Sequence, residues 1–151
     1  MCIDDRDLRL RPIGWAACAK AGFLYASSAF AIGFVFGAIR VLQVAPRLGE
    51  TVAVLLEAPF MLGVSWILSR WSASRYGVLT NFKTALLMGA IAFALLMVAE
   101  FATAVWLFAQ TARSYFIGFA SLPGAIGLIA QLCFASFPVL QSSRTRIASG
   151  N

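Results

Sequence analysis

Four charged residues, Arg40, Arg47, Glu50 and Glu57, fall within eighteen positions of a 151-residue chain that has only twelve basic and six acidic residues. The stretch that carries them, RVLQVAPRLGETVAVLLEAPFM, turns at Pro46 and Gly49 and leaves Glu57 inside an apolar run. Later apolar runs enclose Glu100 and Gln131. A guanidinium, two carboxylates and an amide set in apolar sequence suit three kinds of chemistry. They form a polar knot that fixes helix register, a proton or ion site, or a ligand pocket.

Catalysis has little to work with. There is no histidine, which removes His-ligated haem, the usual His-containing zinc sites, Ser-His-Asp triads and histidine proton relays. The three aspartates, Asp4, Asp5 and Asp7, sit together near the N-terminus, so an intramembrane Asp dyad cannot be assembled. Gly63-Val64-Ser65 has the GxS spacing of a nucleophilic serine but no base to activate it, and Ser65 reads as a packed residue at a helix interface. Cys2, Cys18 and Cys133 are odd in number and show no CxxC spacing, so they read as free thiols. The expectation is a non-enzyme with no catalytic residue, no cofactor and no metal site.

The elements that position these groups are set by composition. Hydrophobic residues make up 61% of the chain and charged residues 12%, half the roughly 25% of soluble domains. Mean hydropathy is +0.85. The apolar residues fall into runs near the roughly 20 residues that cross a bilayer as a helix. The pattern predicts an all-α polytopic membrane protein, a bundle of four transmembrane helices spanning 21–39, 51–69, 84–108 and 122–140. A polar arm, 1–20, precedes the transmembrane domain, 21–140, and a polar tail, 141–151, follows it. Small residues near Ala29 and Ala31 resemble a signal-peptide cleavage site, but Lys20 interrupts the stretch before them and the apolar run continues beyond, so cleavage is not expected.

Within this frame residues 40–50 read as a loop, and Pro59 reads as a kink two residues after Glu57. The 109–121 connector is weakly amphipathic, with Tyr115, Phe116 and Phe119 expected at the membrane surface. Ser121 reads as an N-cap ahead of Pro123. On the first span Gly22, Ala26, Ala29, Gly33 and Gly37 share one face. Gly33 and Gly37 form a GxxxG pair, expected to pack helices within the same chain.

Basic residues set the orientation. With a cytoplasmic N-terminus, the inner side holds Arg6, Arg9, Arg11, Lys20, Arg70, Arg75, Lys83, Arg144 and Arg146, and the outer side holds Arg40, Arg47 and Arg113. That bias predicts N-in/C-in and opposes a dual-topology protein. The net charge of +6 therefore reads as topology signal and headgroup contact rather than nucleic-acid binding. At about 1.5 Å of rise per residue, Arg40, Glu57 and Glu100 all fall in the outer half. A charge costs about 2.5–3.5 kcal/mol at a helix centre, so these groups are expected to cluster, with Gln131 as a further hydrogen-bonding partner.

The RVL-xxx-PRLGE stretch followed by LLEAPFML resembles small four-span bacterial inner-membrane proteins. The resemblance implies a multi-pass inner-membrane location and carries no activity or functional residue with it. The expected role is an accessory or assembly component stabilised by the outer Arg40/Glu57/Glu100 cluster. The alternative is a small proton- or ion-coupled transporter or channel using Glu57 and Glu100. The expected partners are the lipid bilayer and a membrane-protein partner or second copy.

Overall fold

A computed structural model describes residues 14–78 and 81–149, with side chains placed through Arg144. Most of the expected N-terminal arm, with Cys2, lies outside the described residues. The chain is helical throughout, with no strand among the described residues. Helix α1 spans Trp15–Ile39 and runs through a π-helical turn, Arg40–Val44, into α2, Ala45–Leu48. The later helices are α3 Glu50–Arg75, α4 Phe82–Trp106, α5 Ala112–Gly118 and α6 Leu122–Ser149. The continuous stretch Trp15–Leu48, α3, α4 and the Leu122–Arg144 part of α6 are each long and apolar enough to cross a membrane.

The expected loop at 40–50 is almost entirely helical. Pro46 is the second residue of α2, directly after the π turn, and does not end the helical stretch. The reversal is left to Gly49 alone, at φ 82, a left-handed value that glycine adopts without a Cβ clash. Helices α1, α3 and α6 also overrun the expected span ends. No Gly or Pro interrupts α3 between Arg70 and Arg75, and the helix stops just before Gly77, at φ 67. Pro59 and Pro138 lie inside α3 and α6 without ending either helix. Ser121 does cap α6: its hydroxyl accepts from the Gly124 N–H at 3.2 Å.

Around the bundle, α1 packs against α3 and α4, and α6 packs against the same two. The spatial order is α1, α3, α6, α4, so α3 and α4 are consecutive in sequence but do not lie along one another. Helices α1 and α4 run parallel, as do α3 and α6, whereas α1/α3 and α4/α6 are antiparallel hairpins.

Packing is concentrated in the half away from Arg40. Cys18, Ala21, Tyr25, Ala26 and Ala29 of α1 meet Met88, Ala92 and Leu96 of α4 and Phe134 of α6 in one buried cluster. Gly22 lets α1 approach the Met88 carbonyl, which a Cβ would meet at 3.0 Å. A Cβ on Gly89 would collide with the Ala135 carbonyl of α6. The close approaches are therefore made by Gly22 and Gly89. Of the expected GxxxG pair, Gly33 faces the Met61 side chain and Gly37 faces open space. Its spacing was right for a helix face, but the bundle splays before reaching Gly37.

Because the obstacle at Gly89 is backbone, Gly89→Ala is expected to destabilise the bundle by about 1–3 kcal/mol. Gly37→Ala should stay within about 0.5 kcal/mol of the parent. Unfolding titrations of the two purified variants in detergent will check the contrast.

Candidate functional site

In the splayed half, the helices enclose a cavity of about 820 Å³. All four long helices line it, and α5 with its flanking turns contributes Ser114, Tyr115, Gly118 and Phe119. Ala29, Ser65 and Phe134 line its deeper part. Beyond them Tyr25 crosses the bundle and stacks on Phe134, with ring centroids 4.1 Å apart and planes 17° from parallel. The Tyr25 hydroxyl donates to the Phe134 carbonyl at 3.0 Å. Stacking of this kind adds about 0.5–1.5 kcal/mol beyond burial, so the floor is firmly closed.

The charged groups stand on the cavity wall. Arg40, at the start of the π turn, brings its Nε to 2.7 Å from a Glu57 carboxylate oxygen of α3. The distance makes an ion pair, but Nε has no aligned hydrogen bond, so the N–H points off the carboxylate. Across the cavity Gln131 of α6 donates from Nε2 to Glu100 of α4. Both Arg40 and Glu57 are within electrostatic reach of Glu100. The four residues expected to form an intramembrane cluster thus share one cavity, joined as two pairs, each across an antiparallel hairpin. Glu50 lies exposed on the same wall in the first turn of α3, where an acid offsets the helix dipole.

Tyr115 is a cavity residue that the sequence did not assign to the site. Expected at the membrane surface, it is half-buried, and its ring packs edge-on against Phe101, Phe116 and Phe119. Its hydroxyl is inaccessible and has no hydrogen-bond partner. Burial, and after it the negative charge of Glu100, pushes the Tyr115 hydroxyl up to about 12. Phe119 also lines the cavity, whereas Phe116 stays exposed. The signal for Tyr115 was present, since an aromatic cluster at 115, 116 and 119 puts two rings on one side of a helical turn.

A second polar feature leads away from the cavity floor. Ser65, Ser69 and Ser72 are buried along one face of α3, and Gln141 and Ser142 are buried on α6. Ser65 and Ser69 lie within hydrogen-bonding reach of the Tyr25 hydroxyl. Ser69 donates to Gln141 Oε1 at 3.0 Å, and Gln141 Nε2 donates to the Trp66 carbonyl at 2.8 Å. Gln141 belongs to the core, not to the polar tail in which its neighbours placed it. The serine spacing of four and three residues was legible as a helix face, but its partner on α6 was not.

The site holds no assembled nucleophile and base. Cys18 and Cys133 are free thiols, and no group of three His, Cys, Asp or Glu among the described residues is placed to hold a metal. The arrangement suits binding: a largely apolar chamber with three carboxylates, a guanidinium and amides on its wall. No protein-family model, curated protein or solved structure matches the chain.

Side-chain exposures of 29% and 19% place the Arg40–Glu57 pair between surface and core. Arg40→Leu, which strands Glu57, should therefore cost about 2 kcal/mol, between the values for exposed and buried pairs. Arg40→Leu with Glu57→Leu should recover most of that loss, and a double-mutant cycle on unfolding free energies will measure the coupling. Tyr115 gives a pH prediction. Its raised value means that the folded state resists the charged form. Its contribution to stability is present below the ordinary tyrosine value near 10 and is lost as pH rises from there to about 12. Tyr115→Phe should remove that part of the alkaline loss. Glu100→Gln should lower the Tyr115 midpoint in an ultraviolet tyrosinate titration.

Proposed function

We propose that this chain is a multi-pass bacterial inner-membrane protein, N-in/C-in, whose outer-facing cavity receives a small solute, in the manner of a carrier. The observation that carries this is the 820 Å³ cavity with Arg40, Glu57, Glu100 and Gln131 on its wall. A polar knot that only fixes helix register needs contact between the helices and no chamber. Of the two roles expected from the sequence, the cavity therefore favours transport over assembly.

The orientation is supported by where the charges fall in three dimensions. Lys20, Arg70, Arg75, Lys83 and Arg144 stand at the packed end, and Arg47 and Arg113 at the cavity end, which positive-inside statistics assign to the outside. Exposed Trp15 and Trp71 at one end and Trp106 at the other suit the two interfacial belts. The exposed Phe, Leu, Ile and Val side chains between them suit contact with acyl chains, so the bilayer is the first partner. The Tyr25–Phe134 stack closes the inner half, which fits a carrier better than an open channel. No catalytic step is assigned.

A second reading keeps one observation on its side. The Arg40–Glu57 pair compensates both of its charges, as a purely structural clamp in an accessory subunit would. That role leaves Glu100 and the cavity without a purpose.

Cysteine accessibility tests the proposal. With the three native cysteines replaced by alanine, Gly37→Cys on the cavity wall should react with a membrane-impermeant methanethiosulfonate added to whole cells. Ser74→Cys, exposed at the packed end, should react only after permeabilisation. The reverse pattern overturns the orientation, and an unreactive Gly37→Cys under both conditions overturns the open cavity.

A further inference from the structure

Among the described residues the cavity wall carries one cation, Arg40, against the carboxylates of Glu57 and Glu100, with Glu50 as a third at the exposed rim. Arg40 contacts Glu57, and among the described residues Glu100 has only the neutral amide of Gln131 as a hydrogen-bonding partner. One carboxylate thus exceeds the available positive charge. A surplus negative charge in an apolar surround is costly unless a proton or a cation neutralises it. Most of the remaining wall is apolar and aromatic, including Phe30, Phe34, Leu96 and Phe134, with Ser65, Thr103, Gln110 and Ser114 among its neutral polar exceptions. The volume lies within the roughly 300–1,000 Å³ of pockets that take drug-sized molecules. Ring faces on such a wall attract positive groups as well as apolar ones.

Resting on the outward-cavity reading above, we propose that the ligand is a lipophilic organic cation, bound with its positive group against Glu100 and its apolar body along the aromatic wall. A metal ion suits the site poorly, because hard cations take several oxygen ligands and the Glu100 neighbourhood supplies mostly carbon. An anion meets the surplus with the wrong sign. Arg40 sets the affinity by competition: as the fixed counter-charge, it takes up part of the attraction the ligand would otherwise receive.

This assignment makes substitutions act in opposite directions. Removing Glu100 abolishes the surplus. Removing Glu57 frees Arg40 to pair with Glu100 and abolishes it by another route. Removing Arg40 enlarges it, so Arg40→Gln should bind more tightly even though it is the less stable protein. A folding defect does not produce tighter binding.

The test uses the full chain in lipid nanodiscs, with tetraphenylphosphonium and its isosteric anion tetraphenylborate as probes. Binding is measured by equilibrium dialysis, and partition into empty nanodiscs is subtracted. Saturable tetraphenylphosphonium binding should be at least about tenfold tighter than tetraphenylborate binding, the size of one charge contact. Glu100→Gln and Glu57→Gln should each weaken it about tenfold, and Arg40→Gln should tighten it by a similar factor. Equal binding of both probes, or no change in Arg40→Gln, overturns the cation assignment and leaves the solute-binding cavity standing. Absence of saturable binding for both probes overturns the cation assignment as well. The cavity reading is then decided separately by labelling of Gly37→Cys.

Discussion

Helices surrounded by acyl chains gain nothing from hiding apolar surface against one another, so close backbone approach and a few polar contacts must hold them together. In this chain the close backbone approaches between the long helices are confined to one half of the bundle. Gly22 and Gly89 bring α1, α4 and α6 within backbone contact, and alanines fill the narrow space around them. Tyr25 reaches across to Phe134, and Ser69 with Gln141 joins α3 to α6. The other half also turns small residues inward, Gly33, Gly37 and Ala38 of α1, Ala58 of α3, Ala104 of α4 and Gly127 of α6, but Gly37 and Gly127 face open space instead of a neighbouring backbone. It splays, and the cavity is the consequence. The site exists because the packing contacts are unevenly distributed along the helices.

The Arg40–Glu57 and Glu100–Gln131 contacts are best understood from that asymmetry. Each bridges an antiparallel hairpin at a level where side chains no longer interdigitate. Long polar side chains span the wider gap that alanine cannot. They hold the rim of the chamber together and leave its middle open. Glu50 at the rim and Tyr115 on the roof continue the polar wall outward, while Leu96 and Phe134 keep its deeper part apolar.

Much of this was legible in the sequence because charge is so rare in it. Arg40, Glu57, Glu100 and Gln131 stood out against apolar neighbours, and counting rise per residue from the expected span ends put the three charged ones in one half. The spatial order of the helices was not legible, because nothing in the sequence says that α3 and α4, consecutive in the chain, do not lie along one another. Without that order Gly33–Gly37 looked as able to pack helices as Gly22, and nothing singled out Gly89. Gln141 was assigned to the tail because polarity marks span ends in membrane sequences, and a buried amide with matched donors and acceptors breaks that rule. Tyr115 was not assigned to the site because aromatic residues in a connector favour the interface on average, and sequence alone does not reveal that α5 folds over a chamber.

The two halves also differ in what it takes to separate them. Near the cavity the contacts carry charge, and parting Arg40 from Glu57 leaves two ions facing an apolar wall. In the packed half the contacts are neutral: Tyr25 to the Phe134 carbonyl, Ser69 to Gln141, and Gln141 to the Trp66 carbonyl. Neutral hydrogen bonds between membrane helices average about 0.6 kcal/mol each, because the separated groups find other partners. Each such bond adds little, so the packed half is held mainly by the close backbone approach at Gly22 and Gly89 and by the Tyr25–Phe134 stack, whereas the cavity half depends on its ionic and amide contacts.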